Sequence, residues 1–281
     1  MRAYDPEVSD AIWTAFQPLI PVPAETHPYG GHRPRVSDRY CFDVMVIRLA
    51  SGCSWVDGVR LAGNKVSDTT VRSRRDEWIE AGIVDLIESE ALEAFDRIIG
   101  LDLTEVSVDG SLHKAPVGGP GTGRNPTDRG KLGWKWSIAV DRNGIVVGVT
   151  VDAANRNDCV LLEPTLADLA RRGLHLDVGT MHLDAGYDSK KVRDLLASIA
   201  ITDTVIARRR RPGEPKPAKR PGLGLRWVVE RTNSWLSNFG QLRRNNDRRP
   251  SHRRAHLGLA LVFLITAKLI DWRNRWDPAT P

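Results

Sequence analysis

The spacing of apolar residues changes character at Leu101, and that change restricts the possible folds more than any other feature of the chain. Upstream, apolar side chains recur every three or four residues, as in Phe42, Met45, Val46 and Leu49, the repeat of a helix with one buried face. Downstream, alternation takes over. Residues 106–109, 136–140 and 145–151 read as strands, with Asp141-Arg142-Asn143-Gly144 as the hairpin turn between the last two. Helix and strand then alternate: helix 160–172, strand 178–183, helix 189–197 and strand 202–206. Beyond a basic stretch come helices 227–239 and 255–272. A three-strand meander followed by this alternation predicts an α/β mixed sheet with helices on both faces. The boundary falls near residue 100, giving an all-helical domain over 1–100 and an α/β domain over 101–281.

A short helix is expected around 9–19, before the Pro/Gly/His-rich stretch PVPAETHPYGGHRPR. In the helical domain, residues 55–61 make a short helix and Ala62-Gly63-Asn64 a turn. Ser67, a good cap, starts a longer helix through Ala81 that is expected to expose Arg72, Arg74 and Arg75. That is the pattern of a helix-turn-helix presenting arginines to a major groove, and any helical bundle contains similar turns. The α/β element order is the one a ribonuclease-H-like domain needs, and other α/β folds open the same way. Its first two strands are separated by VGGPGTGRNPTDRGKLG, a Gly/Pro-rich segment long enough to be functional or mobile.

Charge is concentrated. The net charge is +6, yet residues 207–256 hold fifteen Lys/Arg against three acids, so the rest of the chain is net negative. A localised positive segment fits a nucleic-acid partner and equally a solvated basic face. The part of it from Arg208 to Pro221 is expected to be disordered without DNA. Cys41, Cys53 and Cys159 have no paired spacing, so no disulfide framework or zinc site is indicated, and a reducing cytoplasm fits. There is no signal-like apolar segment and no uncharged apolar run of about 18 residues. The apolar run 257–270 includes Lys268 and reads as a buried helix.

Carboxylates mark the candidate site. Asp109 closes the first strand (VSVDGS) and Asp184 the fourth (MHLDAGYD), at sheet ends where ligands and metals commonly bind. A single such Asp is usually a turn former; two of them on neighbouring strands are another matter. Glu230 sits one turn inside a helix among apolar and basic residues, where an unpaired acid is costly.

With these motifs in place, roughly residues 40–272 resemble a bacterial insertion-sequence transposase of the DDE class, in the branch grouped as insertion sequence family five. The resemblance is carried by VDGS at Asp109, LDAGYDS at Asp184 and RWVVERTNSWLSNFGQLRR around Glu230, together with DRGKLGWKWSIAVDRNG and the upstream GCSWVDGV. The motifs follow in the family's order, 75 and 46 residues apart. The third departs from the family pattern. Its Arg is Arg226, but Leu223 stands at the Tyr position and Ser237 at the Lys position; Arg243 or Arg244 could substitute in gripping the transposon end.

The resemblance implies a ribonuclease-H-like core in which Asp109, Asp184 and Glu230 hold two Mg²⁺ ions, with Mn²⁺ able to replace them. It implies hydrolysis at the terminal inverted repeats of an element, then attack of the freed 3′-hydroxyl on target DNA. The partners would be double-stranded DNA, at transposon ends and target, and a second copy of the chain; no membrane is involved, and the setting is cytoplasmic, at the nucleoid. Lys135, Arg226 and Arg231 could contact scissile-strand phosphates or be ordinary surface cations. Asn157 and Asp158 could face the metals, a helix cap being the first reading for Asp158. His182 reads as packed rather than catalytic, and Trp134, Trp136 and Trp227 as core residues that could stack on an extruded base. Two rivals remain at this point: a repurposed, non-catalytic DNA-binding protein, and a ribonuclease-H-like nuclease without strand transfer.

Overall fold

The computed structural model describes residues 4–22, 35–208 and 224–276, so the expected disorder of the basic stretch and the position of Leu223 lie outside the described residues. Five helices come first: α1 (Pro6–Phe16), α2 (Asp38–Ser51), α3 (Trp55–Leu61), α4 (Asp68–Glu80) and α5 (Ile83–Ile98). Then follow β1 (Glu105–Lys114), β2 (Gly123–Arg124), β3 (Leu132–Val140), β4 (Val146–Ala153), α6 (Asp158–Arg171), β5 (Thr180–Leu183), α7 (Lys190–Ser198) and β6 (Asp203–Ile206). The helices α8 (Trp227–Leu236), α9 (Gly240–Arg243) and α10 (Pro250–Trp276) close the chain.

The chain forms two compact units, one of residues 1–99, 236–245 and 251–281 and the other of 100–235 and 246–250. This corrects the division at residue 100: the C-terminal helix belongs with the N-terminal helices. The reason is apolar burial. Residues 257–265 of α10 are all buried, and although α10 is long and apolar enough to cross a membrane, it is a core helix of this unit. Side-chain caps start α2, α3 and α4: Ser37, Ser54 and Ser67 accept from the backbone N–H groups of Tyr40, Asp57 and Thr70. Gly52 ends α2 at φ 73, and a Cβ there would stand 2.7 Å from the Gly240 carbonyl carbon, so α9 packs directly on the end of α2.

In the second unit the sheet runs β2-β3-β1-β5-β6, with β4 also paired to β3. The pairs β1/β3 and β3/β4 are antiparallel, whereas β1/β5 and β5/β6 are parallel. This is the ribonuclease-H-like arrangement, a meander whose first strand continues into a parallel half. One face packs Val106, Val108, Ala139, Met181 and Leu183 against Leu162, Leu166 and Leu169 of α6 and Val192 and Leu196 of α7. The 3-10 turn 224–226 and α8 cover the other: Ser107 Oγ donates to the Leu225 carbonyl, and Trp136 Nε1 donates to Asn233 Oδ1 at 2.8 Å. The Asp141 turn forms as expected, its Oδ1 accepting from the Asn143 and Ile145 N–H groups.

Candidate active site

Asp109 does not end its strand. It lies in the middle of β1, opposite Ile138, and the strand continues five residues to Lys114. Gly110 makes this possible. A Cβ there would collide with the Asp158 carboxylate, so the strand passes α6 only where it carries no side chain. Asp184 does follow directly on β5, where its Oδ1 accepts from the Gly186 N–H at 2.7 Å. The parallel register pairs Ser107 with His182. Two residues further along both chains come Asp109 and Asp184, close enough for the Asp184 charge to act on the Asp109 carboxyl.

The electrostatics agree with that placement. Burial lifts the Asp109 carboxyl from its usual range to about 6, the negative charges of Asp184 and Asp158 add to the rise, and the Gly110 N–H and Arg226 oppose it. The Tyr187 hydroxyl is 1% exposed, lacks a hydrogen-bond partner, and is raised by burial and then by Asp158, Asp109 and Asp184. The charges of Asp184 and Asp158 thus both act on Asp109, opposed by Arg226, while Asp158 is itself paired with Lys135.

Glu230 is carried by α8. Asn233, three residues on and on the same helix face, has its Nδ2 3.5 Å from Asp109 Oδ2, and Thr232 Oγ1 donates to the Gly144 carbonyl at 3.0 Å. The Glu230 carboxylate is paired with Arg226 at 3.3 Å. Among the described residues no three His, Cys, Asp or Glu side chains converge as a ready metal cluster. Asp109 and Asp184 are brought together; Glu230 stands on the adjacent helix turn.

The other sequence candidates divide. Lys135 is 5% exposed, with Nζ donating to Asp158 Oδ1 at 2.9 Å and to the Arg156 carbonyl at 3.0 Å. It faces α6 because its register partner is Leu112, on the opposite sheet face from Asp109. Its burial corrects the reading as an ordinary surface cation, and its Nζ is engaged by Asp158 and Arg156. Asn157, not Asp158, caps α6. Arg231 packs between Trp227 and Trp235, 4.3 and 4.6 Å from their ring centroids, and donates to the Asn143 carbonyl. His182 hydrogen-bonds Glu105. Trp134 and Trp136 are fully buried against each other and His113, so neither offers a free face to a base, whereas Trp227 is 46% exposed.

In the helical unit α3, the turn through Gly63 and Asn64, and α4 form as expected, but the arginines do not share one face. Arg72 is exposed and pairs with Asp68. Arg74 and Arg75, expected to be exposed, are buried: Arg74 is paired with Asp38 and Glu77, and Arg75 with Asp76, its guanidinium 5.1 Å from the Trp55 ring centroid. The acids that draw them inward sit partly on another helix, which local spacing does not reveal. Arg243 and Arg244 are exposed. Sequence reasoning missed Asn233 and Tyr187; their positions, three residues after Glu230 and after Asp184, were the available signal.

Residues 93–266 match the family described as "Transposase DDE domain", a stretch that includes Asp109, Asp184 and Glu230. Residues 8–87 match the family described as "Putative transposase of IS4/5 family". The chain is 37% identical over 162 residues to the "Putative transposase for insertion sequence element IS402" of Burkholderia cepacia, covering 55% of this chain and 74% of that protein. It is 28% identical over 121 residues to the "Insertion element IS402 uncharacterized 16.2 kDa protein" of the same organism, covering 43% and 82%. Among solved structures, a Mos1 transposase paired-end complex with left transposon end aligns at 12% identity and a TM-score of 0.28, over 88% of this chain and 82% of that one.

Proposed function

The chain belongs to the transposase DDE-domain family, and from that premise we propose that Asp109 and Asp184, joined by Glu230, form its phosphodiester-cleaving centre. It is a metal-dependent enzyme of DNA cleavage and transposition. In the proposed reaction, water attacks the phosphodiester at the end of an insertion sequence and leaves a free 3′-hydroxyl. That hydroxyl then attacks a phosphodiester of target DNA, one bond forming as another breaks, with no covalent enzyme intermediate.

The observation that carries this reading is that Asp109 and Asp184 lie beyond the same end of the β1/β5 ladder, where burial and the nearby Asp184 charge lift Asp109 to about 6. Such a pair fits a divalent cation, which relieves the repulsion. Donors that are all carboxylate oxygen, without His or Cys, suit Mg²⁺, with Mn²⁺ as a replacement. Two such ions, when bound, activate the attacking oxygen and neutralise charge on the transferring phosphoryl group.

The remaining roles belong to the chain. Asn233 steadies the Asp109 carboxylate, and Glu230 joins the pair by leaving Arg226. The freed Arg226 guanidinium then faces the scissile-strand phosphate, where a bidentate donor is well suited. Arg72, Arg243 and Arg244 are the exposed arginines for gripping the terminal repeats. Joining two ends calls for at least two copies of the chain, acting on cytoplasmic DNA.

The test is cleavage of a labelled duplex carrying the element's terminal repeat, with Mg²⁺ or Mn²⁺, by wild type and Asp109→Ala. Metal-dependent nicking at the repeat end that vanishes in the variant supports the reading. Tight binding with no cleavage by the wild type would overturn it.

A further inference from the structure

β1 outruns its parallel neighbour β5. β5 ends at Leu183, one residue past its last row with β1, while β1 continues beyond Asp109 to Lys114, still paired with β3 at Gly133. The two strands and the segment between them form an arm, flanked by β4 as far as Ala153, that extends past the last row of the β1/β5 ladder. The arm is built, not loose. Asn125, 4% exposed, accepts on Oδ1 from the Thr127 N–H at 2.9 Å and from Thr127 Oγ1 at 2.8 Å, and its own N–H donates to the Lys131 carbonyl at 2.8 Å. β2 pairs with β3 through Arg124 and Leu132. A Cβ on Gly133 would stand 2.6 Å from the His113 carbonyl, so the strands close up where both carry little.

This fixed backbone carries cations with little to neutralise them. Residues 114–132 hold Lys114, Arg124, Arg129 and Lys131 against the single acid Asp128. Lys114 is 61% exposed and reaches Asp128 only at 3.8 Å. Arg124, Arg129 and Lys131 are exposed and make no ion pair among the described residues. Arg129 also sits at φ 52, a left-handed conformation that costs an L side chain, beside Gly130 at φ 71. A glycine or asparagine would serve that turn more easily, so the position holds an arginine despite the backbone.

We propose that this arm is a second DNA-backbone clamp, in which Arg124, Arg129 and Lys131 grip phosphates away from the reacting one. The inference rests on the reading of Asp109 and Asp184 as the cleavage centre. Five strand residues separate Asp109 from Lys114, roughly 17 Å at 3.3 Å per residue. A duplex rises 3.4 Å per base pair, so the clamped phosphates lie about five base pairs from the scissile one.

The test compares wild type, the charge-removing triple variant Arg124→Gln/Arg129→Gln/Lys131→Gln, the charge-keeping Arg124→Lys/Arg129→Lys, and Asp109→Ala. Affinity for a terminal-repeat duplex is measured from 50 to 200 mM salt without divalent metal, and each protein's thermal melt is recorded. Each phosphate contact contributes about 0.9 to the slope of log affinity against log salt. The slope of the triple variant should be shallower by about 2–3, while the lysine variant and Asp109→Ala keep the wild-type slope. Hydroxyl-radical protection four to six base pairs from the cleavage point should vanish only in the triple variant. An unchanged slope in a normally melting triple variant would overturn the clamp. Because binding is read without cleavage, failure of the cleavage centre would leave this result separately legible.

Discussion

His113 is buried on β1 with its ring centroid 3.6 Å from that of Trp136, at 16°, and its Nε2 2.8 Å from Ser111 Oγ. Burial pushes its pKa down from 6.5 to about 3. The unfolded chain protonates this ring near pH 6.5, and the folded protein keeps it neutral until about pH 3. Across that window unfolding takes up a proton, so stability falls as pH falls, with a limiting slope of about 1.4 kcal/mol per pH unit. Urea midpoints from pH 7 to pH 4 should decline for the wild type and decline less steeply for His113→Gln, whatever that variant loses at pH 7. Parallel declines would clear His113 as the source. Single residues also mark where sequence reasoning stops. Asp109 and Asp184 were legible because each closes an apolar run before a small residue, but VDGS was read as the end of a strand. What extends the strand is its ladder with β3 through Lys114, and Gly110 only leaves room for the Asp158 carboxylate of a helix far along the chain.

At the scale of elements, α8 decides whether the site is complete. It is fastened to the sheet unit by Thr232 at the Gly144 carbonyl and by Asn233, which accepts from Trp136 Nε1 and approaches Asp109. Trp136 is fully buried, so Asn233→Ala leaves an indole N–H unpaired, a loss of about 1–3 kcal/mol. The same change frees Asp109 and loosens the turn carrying Glu230. Cleavage by Asn233→Ala should therefore fall by about 10-fold or more, on the order of 1.4 kcal/mol or above in barrier, with binding of the terminal-repeat duplex retained. A wild-type rate together with a wild-type melting temperature would refute this account of α8. The helix itself was readable from its apolar spacing, and so was α4. The facing of α4 was not. Its arginines at 72, 74 and 75 look alike in sequence, and Asp38 on α2 and the Trp55 ring draw two of them inward.

For the whole molecule, the order of residues and the order of folding units differ. The chain leaves the helical unit at residue 99 and returns to it at 236, so the sheet unit is inserted within a helical one. Periodicity could place the elements but not this return, because a nearly all-apolar stretch such as 257–265 buries equally well in any core. Leu257, Leu259, Leu261, Val262, Phe263, Leu264 and Ile265 are each 7% exposed or less. At roughly 1.5–3 kcal/mol per buried side chain, their gross contribution matches or exceeds the net stability of a typical domain, about 5–15 kcal/mol. Arg254 adds a polar tie, its Nη1 2.9 Å from the Oε2 of Glu88, an acid that is 2% exposed. Residues 1–99 alone should therefore lack a cooperative thermal transition at 222 nm. The same residues joined by a flexible linker to 236–276 should melt cooperatively, and Arg254→Ala should lower that transition by removing the guanidinium paired with buried Glu88. If 1–99 alone melted as sharply as the joined fragment, α10 would be a peripheral helix rather than the core of this unit.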